Sequence, residues 1–124
     1  MLRKLSDHIV ETEGGELDRL EVLVADEPGF GGAHHNYAIQ TCGGGLLFSR
    51  IQFQNGGVKE VGVNGLTHEA LLAVIIDRLR SFQSGAFSCR ENAIALTHCE
   101  DALMWLQKRT RDRIKRNVEG EMKP

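Results

Sequence analysis

Two segments of the first half, Leu20-Glu21-Val22-Leu23-Val24 and Phe48-Ser49-Arg50-Ile51-Gln52-Phe53, show partial two-residue alternation of apolar and polar side chains. A period of two predicts strands with one buried face. Four strand candidates follow: Leu20–Ala25, Tyr37–Cys42, Leu46–Gln54 and Val58–Val63. Asn55-Gly56-Gly57 separates the last two and reads as a hairpin turn, because these residues tolerate positive φ. No helix-length pattern fits between the strands, so parallel crossovers are excluded and an antiparallel meander is expected.

After Gly65 the period lengthens. Leu71, Leu72, Ile75, Ile76 and Leu79 recur at three- and four-residue spacing and mark one face of a helix. Thr67 is its expected N-cap, Glu69 suits the positive end of its dipole, and Gly85 is its stop. Ser88-Cys89-Arg90-Glu91 has the capping-box pattern, and no Gly or Pro interrupts the next 28 residues. Leu96, Cys99, Leu103, Leu106, Thr110 and Ile114 form the inward stripe of this second helix. From Cys89 to Arg116 it would extend about 42 Å. That is longer than a small sheet needs for cover, so part of it should pack on another chain. The expected fold is α+β: a single domain over 1–124, with an antiparallel sheet at about 16–63. Helices at about 67–84 and 89–117 follow, the last one packed in a homo-oligomer, with a frayed tail after Glu119.

Glycine use supports this division, since 12 of the 14 glycines lie at or before Gly65. At 124 residues, 41% apolar and 26% charged, the composition is that of an ordinary globular domain. The apolar run containing Leu71 to Ile76 is far too short to span a bilayer. No apolar segment follows Met1-Leu2-Arg3-Lys4, so a secretory leader is not expected. Three cysteines, Cys42, Cys89 and Cys99, without a C-x-x-C pair, argue for a reducing cytoplasm and against a disulfide framework or cysteine-built zinc site.

The net charge of −2 hides an asymmetry: residues 1–62 carry −4 and residues 63–124 carry +2. Most of the excess positive charge is concentrated in Lys108, Arg109, Arg111, Arg113, Lys115 and Arg116. Arg109 and Arg113 are four residues apart on one helical face, where two planar guanidinium forks suit phosphate oxygens. A solvated basic helix end, favoured by the helix dipole, is the bland alternative. Asn92 offers amide donors and acceptors for a base or ribose edge, or simply faces water in the first turn. Phe82 offers a ring for stacking, or closes the core at the inter-helix turn.

Asn92 and Arg109 stand about 25 Å apart along one helix, too far to hold one nucleotide together. Two antiparallel copies would instead bring the Phe82–Asn92 end of one beside the Arg109–Arg113 end of the other. Two equivalent sites for a compact phosphorylated nucleotide would result.

Other candidates carry less. Pro28-Gly29-Phe30-Gly31-Gly32 lacks the Lys-Ser/Thr of a P-loop. On a strand, His34 and His35 would point to opposite faces and not share a metal ion. His68 and His98 add no ligand spacing. No catalytic constellation, metal site or cofactor motif is present, so a non-enzyme is expected. Two rival readings remain open. One is a cyclic-nucleotide hydrolase using His34, His35 or His98 with a carboxylate. The other is a nucleic-acid binder using Arg109, Arg111, Arg113, Lys115 and Arg116 on phosphates.

The run Ile51-Gln-Phe-Gln-Asn-Gly-Gly-Val-Lys-Glu-Val-Gly-Val-Asn-Gly-Leu66 adds a family likeness. It extends through Ile75-Ile-Asp-Arg-Leu79, Cys89-Arg-Glu-Asn-Ala-Ile-Ala-Leu96 and Ala102-Leu-Met-Trp-Leu-Gln-Lys-Arg-Thr-Arg-Asp-Arg113, to Val118-Glu-Gly120. Over about residues 50–120 the chain resembles the type-one family of phage Thoeris anti-defence proteins.

The resemblance implies a sheet followed by two helices that build homodimers and, in some members, hexamers. It also implies capture, without cleavage, of cyclic ADP-ribose isomers made by TIR-domain enzymes, in the cytoplasm of the bacterial host. Some members also bind cyclic trinucleotides at a separate site. Carried over by motif, Phe82 would stack on adenine, Asn92 would help close the pocket, and Arg109 with Arg113 would hold the pyrophosphate. The chain departs from the family pattern at Gly57, where proline is expected, at His98-Cys99, which replaces a more polar pair, and in Glu121–Pro124.

Overall fold

A computed structural model describes residues 3–12, 15–16 and 20–124; Met1 and Leu2, where the leader was sought, lie outside the described residues. The chain forms two compact units, 1–55 and 56–124.

The first unit holds an antiparallel sheet of β1 (Arg3–Leu5), β4 (Leu20–Val24), β5 (Asn36–Thr41) and β6 (Leu47–Gln52), in the order β1-β4-β5-β6. A small ladder of β2 (Glu11–Thr12) and β3 (Gly15–Glu16) stands apart from it. Val24 pairs with Arg3 on one side and Tyr37 on the other, and Tyr37 with Ile51. Paired residues share a face, so Val24, Tyr37 and Ile51 lie on one side, and Leu23, Ala38 and Arg50 on the other. Val24, Leu23 and Ala38 are buried, Val24 to 1% exposure. The Tyr37 and Phe53 rings meet edge to face at 5.7 Å, the geometry that aromatic quadrupoles favour.

Three of the four strand candidates therefore form, shifted by one or two residues at their ends. Val58–Val63 does not. Val58–Val61 is a single helical turn, α1, entered through Gly57 and left through Gly62 at φ 77°. Val61 and Gly62 donate to the carbonyls of Gly57 and Val58. Gly56, at φ 94°, turns the chain into this helix, so Asn55-Gly56-Gly57 closes no hairpin. The sheet consequently runs from Arg3 to Gln52 rather than over 16–63. Arg3–Leu5 went unread because three residues carry too little periodicity to register.

The second unit is a helical hairpin. The helix α2 (His68–Gln83) begins at Thr67, whose hydroxyl accepts from Ala70 N at 3.1 Å, and ends at Ser84, just before the expected stop. The longer α3 (Arg90–Lys115) is capped by Cys89 Sγ, which accepts from Asn92 N at 3.5 Å, one residue beyond the expected Ser88 cap. Gln83 Oε1 accepts from Cys89 N, holding Cys89 in the extended cap conformation that Ser88 was expected to adopt. Ile76 of α2 is buried, with Leu72 and Leu79 half-buried. Leu96, Cys99, Leu103, Leu106 and Thr110 are half-buried along α3. Arg80 and Glu100 join the two helices by an exposed ion pair at 2.8 Å.

The helices contain 16 and 26 residues, about 24 and 39 Å. Because a short turn makes them antiparallel neighbours, the α2 start lies level with about residue 105, and the rest of α3 overhangs it. Ile114, read as inward-facing, is 60% exposed on this overhang.

The tail is docked rather than frayed. At φ 60°, Asn117 turns the chain back, and Val118 N donates to Arg113 O. Lys59 N of α1 donates to Gly120 O at 2.7 Å. This also accounts for glycine at position 57. A Cβ there would stand 2.6 Å from Gly120 O and 2.8 Å from the Glu121 carbonyl carbon. Backbone atoms of this kind cannot rotate away, so Gly57→Ala should force the tail to shift. The expected cost is about 1–3 kcal/mol in urea unfolding, typical of overpacking; an unchanged midpoint would show that the tail is not held there.

Candidate functional site

The overhanging end of α3 carries an open concavity of about 480 Å³, lined by Trp105, Lys108, Arg109, Asp112, Arg113 and Arg116. Its basic side chains differ in how they are engaged. Lys108 pairs with Asp112 at 2.7 Å, the i,i+4 arrangement of a helix surface. That hydrogen bond, the largest influence on Asp112, holds its carboxyl below the usual aspartate value against partial desolvation, with Lys115 and Arg111 adding to the effect. Arg116 donates to Pro124 O at 3.1 Å.

Arg113 is buried, its side chain 6% exposed. Its Nε donates to Glu119 Oε1 at 3.2 Å, its Nη2 to Val118 O and Glu121 O, and its Nη1 to Lys123 O. Arg109 is exposed and, among the described residues, is the basic side chain of this concavity with no intrachain partner. Arg109 and Arg113 thus share the concavity, but only Arg109 offers a free guanidinium fork.

Trp105 belongs to this site although the sequence reading passed over it. One turn before Arg109 and 63% exposed, it places an aromatic surface among cations. The available signal was the i,i+4 spacing of Trp105, Arg109 and Arg113, which puts all three on one side of the helix.

Phe82 lies in the last turn of α2, partly exposed, with the Arg78 guanidinium 5.0 Å from its ring centre. That cation–π contact holds Arg78 over one face of the ring. Asn92 is half-buried in the first turn of α3. Phe82 and Asn92 thus mark the turn end of the hairpin, while Arg109 and Arg113 lie on the overhang. One chain does not bring all four together.

The histidines have local roles. His34 and His35 precede β5 rather than sitting within a strand. His34 Nδ1 meets Asp26 O at 2.8 Å, and His35 Nε2 meets Phe30 O at 3.0 Å. The Asp26 carboxylate accepts from His35 N and the Asn36 amide. Desolvation acts to raise the Asp26 pKa, but the His35 backbone bond, the Asn36 bonds and His34 outweigh it and leave it lowered.

A carboxylate with a lowered folded pKa adds stability above its unfolded value, near 3.8, and loses it as pH falls through the folded value. Asp26→Asn should therefore lower Tm at neutral pH and flatten its decline below about pH 4. Parallel Tm curves for wild type and variant through that range would remove Asp26 from this role. Among the described residues no group of His, Cys, Asp or Glu side chains could hold a metal ion. No described helix is long and apolar enough to cross a membrane.

Together these features define an α+β protein whose helical hairpin presents a basic, aromatic-edged concavity. A family model described as Acb2/Tad1, hairpin domain, matches residues 47–111, and the chain belongs to that family. It is 47% identical over 92 residues to Thoeris anti-defense 1 of Bacillus phage SBSphiJ7. The match covers 74% of this chain and 63% of that relative, so the chain spans less than two-thirds of the relative's length. The likeness to phage Thoeris anti-defence proteins read from residues 50–120 is borne out.

Proposed function

We propose that this protein binds a cyclic ADP-ribose isomer made by TIR-domain enzymes and holds it uncleaved, so that Thoeris immunity is not triggered. The observation carrying this reading is the concavity on α3, where unpaired Arg109 stands beside exposed Trp105 and three further cations. A diphosphate matches guanidinium forks, and a nucleobase matches an aromatic face. Phe82 stacks on the adenine, Asn92 closes the pocket, and Arg109 and Arg113 engage the pyrophosphate.

Since Phe82 and Arg109 lie at opposite ends of the hairpin, the site forms between two copies with antiparallel α3 helices. Met104, Trp105 and Ile114 are exposed along α3 and suit such packing. The working form is a homodimer or a hexamer built from it, with room for a cyclic trinucleotide at a separate site. The protein acts by mass action in the host cytoplasm, so its affinity and abundance must exceed those of the effector.

Calorimetry with a cyclic ADP-ribose isomer, followed by heat denaturation and chromatography of the released ligand, tests this directly. Tight binding with intact ligand recovered supports sequestration, and Phe82→Ala should weaken binding at least about tenfold by removing one stacking contact. A changed product would make the protein a hydrolase. Absence of heat from a folded oligomer would reject cyclic ADP-ribose as the ligand.

A further inference from the structure

The guanidinium expected to engage a ligand diphosphate is already surrounded by oxygens from its own chain. Glu119 Oε1 and the carbonyls of Val118, Glu121 and Lys123 all accept from Arg113. Four acceptors around one planar cation supply what phosphate oxygens would otherwise supply. With its side chain 6% exposed, Arg113 cannot meet a ligand in this geometry unless some of these oxygens leave.

The tail's other attachments are few. Lys59 N donates to Gly120 O in a single backbone bond to α1, and Met122 lies close to Gly56. Glu121 Oε2 is buried without a hydrogen-bond partner, and Lys123 Nζ stands 3.8 Å away, beyond hydrogen-bonding reach. Beyond residue 123, Arg116 donates to Pro124 O; within residues 118–123, Arg113 makes more of the tail's hydrogen bonds than any other group.

We propose that residues 118–123 form a displaceable strap. In the ligand-free chain the strap occupies Arg113; on binding, the ligand's diphosphate takes the guanidinium and the strap leaves α1. This rests on the reading of Arg113 as a diphosphate contact. Its consequence is thermodynamic: if only the open fraction is competent, apparent affinity falls by that fraction, and weakening the strap restores it. Glu119→Gln weakens the strap at Arg113. Gly57→Ala weakens it independently from α1, because the added Cβ meets Gly120 O.

The experiment uses the full chain and both variants, titrated by calorimetry with cyclic ADP-ribose and separately with inorganic pyrophosphate. Amide hydrogen exchange is followed at Lys59, whose N–H reports strap docking. The strap predicts that each variant tightens cyclic ADP-ribose binding roughly three- to tenfold. It also predicts that ligand accelerates exchange at Lys59 in the full chain. Binding left unchanged or weakened by both variants, with Lys59 exchange unchanged or slowed, would overturn the strap while leaving sequestration standing. Pyrophosphate binding with accelerated Lys59 exchange, but no cyclic ADP-ribose binding, would keep the strap and reject the nucleotide reading. If neither probe binds the full chain or either variant, both proposals fall.

Discussion

Arg109→Ala is expected to abolish measurable ligand binding, a loss of at least about 100-fold, while leaving Tm within a degree of wild type. The asymmetry follows from what Arg109 touches. It is exposed and, among the described residues, makes no hydrogen bond or ion pair within the chain, so its removal breaks no polar contact and creates no buried vacancy. Such surface substitutions usually alter stability by less than about 0.5 kcal/mol. A ligand diphosphate, by contrast, would lose a charge-assisted and potentially bidentate partner. Removing such a partner costs about 2–5 kcal/mol, and 2.7 kcal/mol already corresponds to about 100-fold in affinity. Arg109→Lys should recover part of the loss, because the charge returns without the planar fork. Calorimetry and thermal melting of the same preparations decide it. Unchanged affinity in Arg109→Ala would remove the concavity from the binding reaction.

Arg113→Ala, four residues further on, should behave differently and lose stability as well as binding. Arg113 has four acceptors and almost no solvent. Removing one partner from a buried ionic cluster costs about 3–5 kcal/mol when the orphaned groups stay buried. Here the tail can open to water, which places the expected loss near the lower end, about 3 kcal/mol. Urea unfolding should show the midpoint shift, and rapid exchange at the Lys59 amide should show the tail released. A loss below about 1 kcal/mol would mean that Arg113 does not anchor residues 118–123. The two substitutions differ although their side chains share a helix face, a charge and a concavity. Burial separates them.

That contrast shows where periodicity stops being informative. The helices were legible because an apolar face repeating every three to four residues has few other solutions. The stripe from Leu96 to Thr110 is half-buried as read. The same spacing puts Ile114 on that stripe, but α2 is too short to cover it. Coverage depends on the neighbouring helix, so no pattern within α3 could report it. At Val58–Val63, three valines in a short run suggest a strand. Glycines on either side, and a tail carbonyl accepting from Lys59 N, stabilise a helical turn instead.

The candidate site divides in the same way. Phe82, Asn92, Arg109 and Arg113 could be named from residue type, helical spacing and family motif, and the concavity does contain both arginines. Trp105 required the surface itself, since a lone tryptophan in a helix reads equally well as core. Arg113's engagement with the tail was invisible because the acceptors are mostly backbone carbonyls, and carbonyls look alike in every sequence. The Cys89 cap is a smaller instance: both Ser88 and Cys89 precede the helix, and the Gln83 side chain helps hold the second in place.

Residue order alone was enough to establish an α+β chain, an antiparallel sheet ahead of two helices, and a basic end on the longer helix. These properties follow from local preference and periodic burial, which are written residue by residue. Which arginine is free, which is spent on the chain's own tail, and why position 57 must be glycine were settled by packing between segments distant in sequence. Those outcomes depend on excluded volume and on the pairing of backbone groups, and both exist only once the chain has folded back on itself.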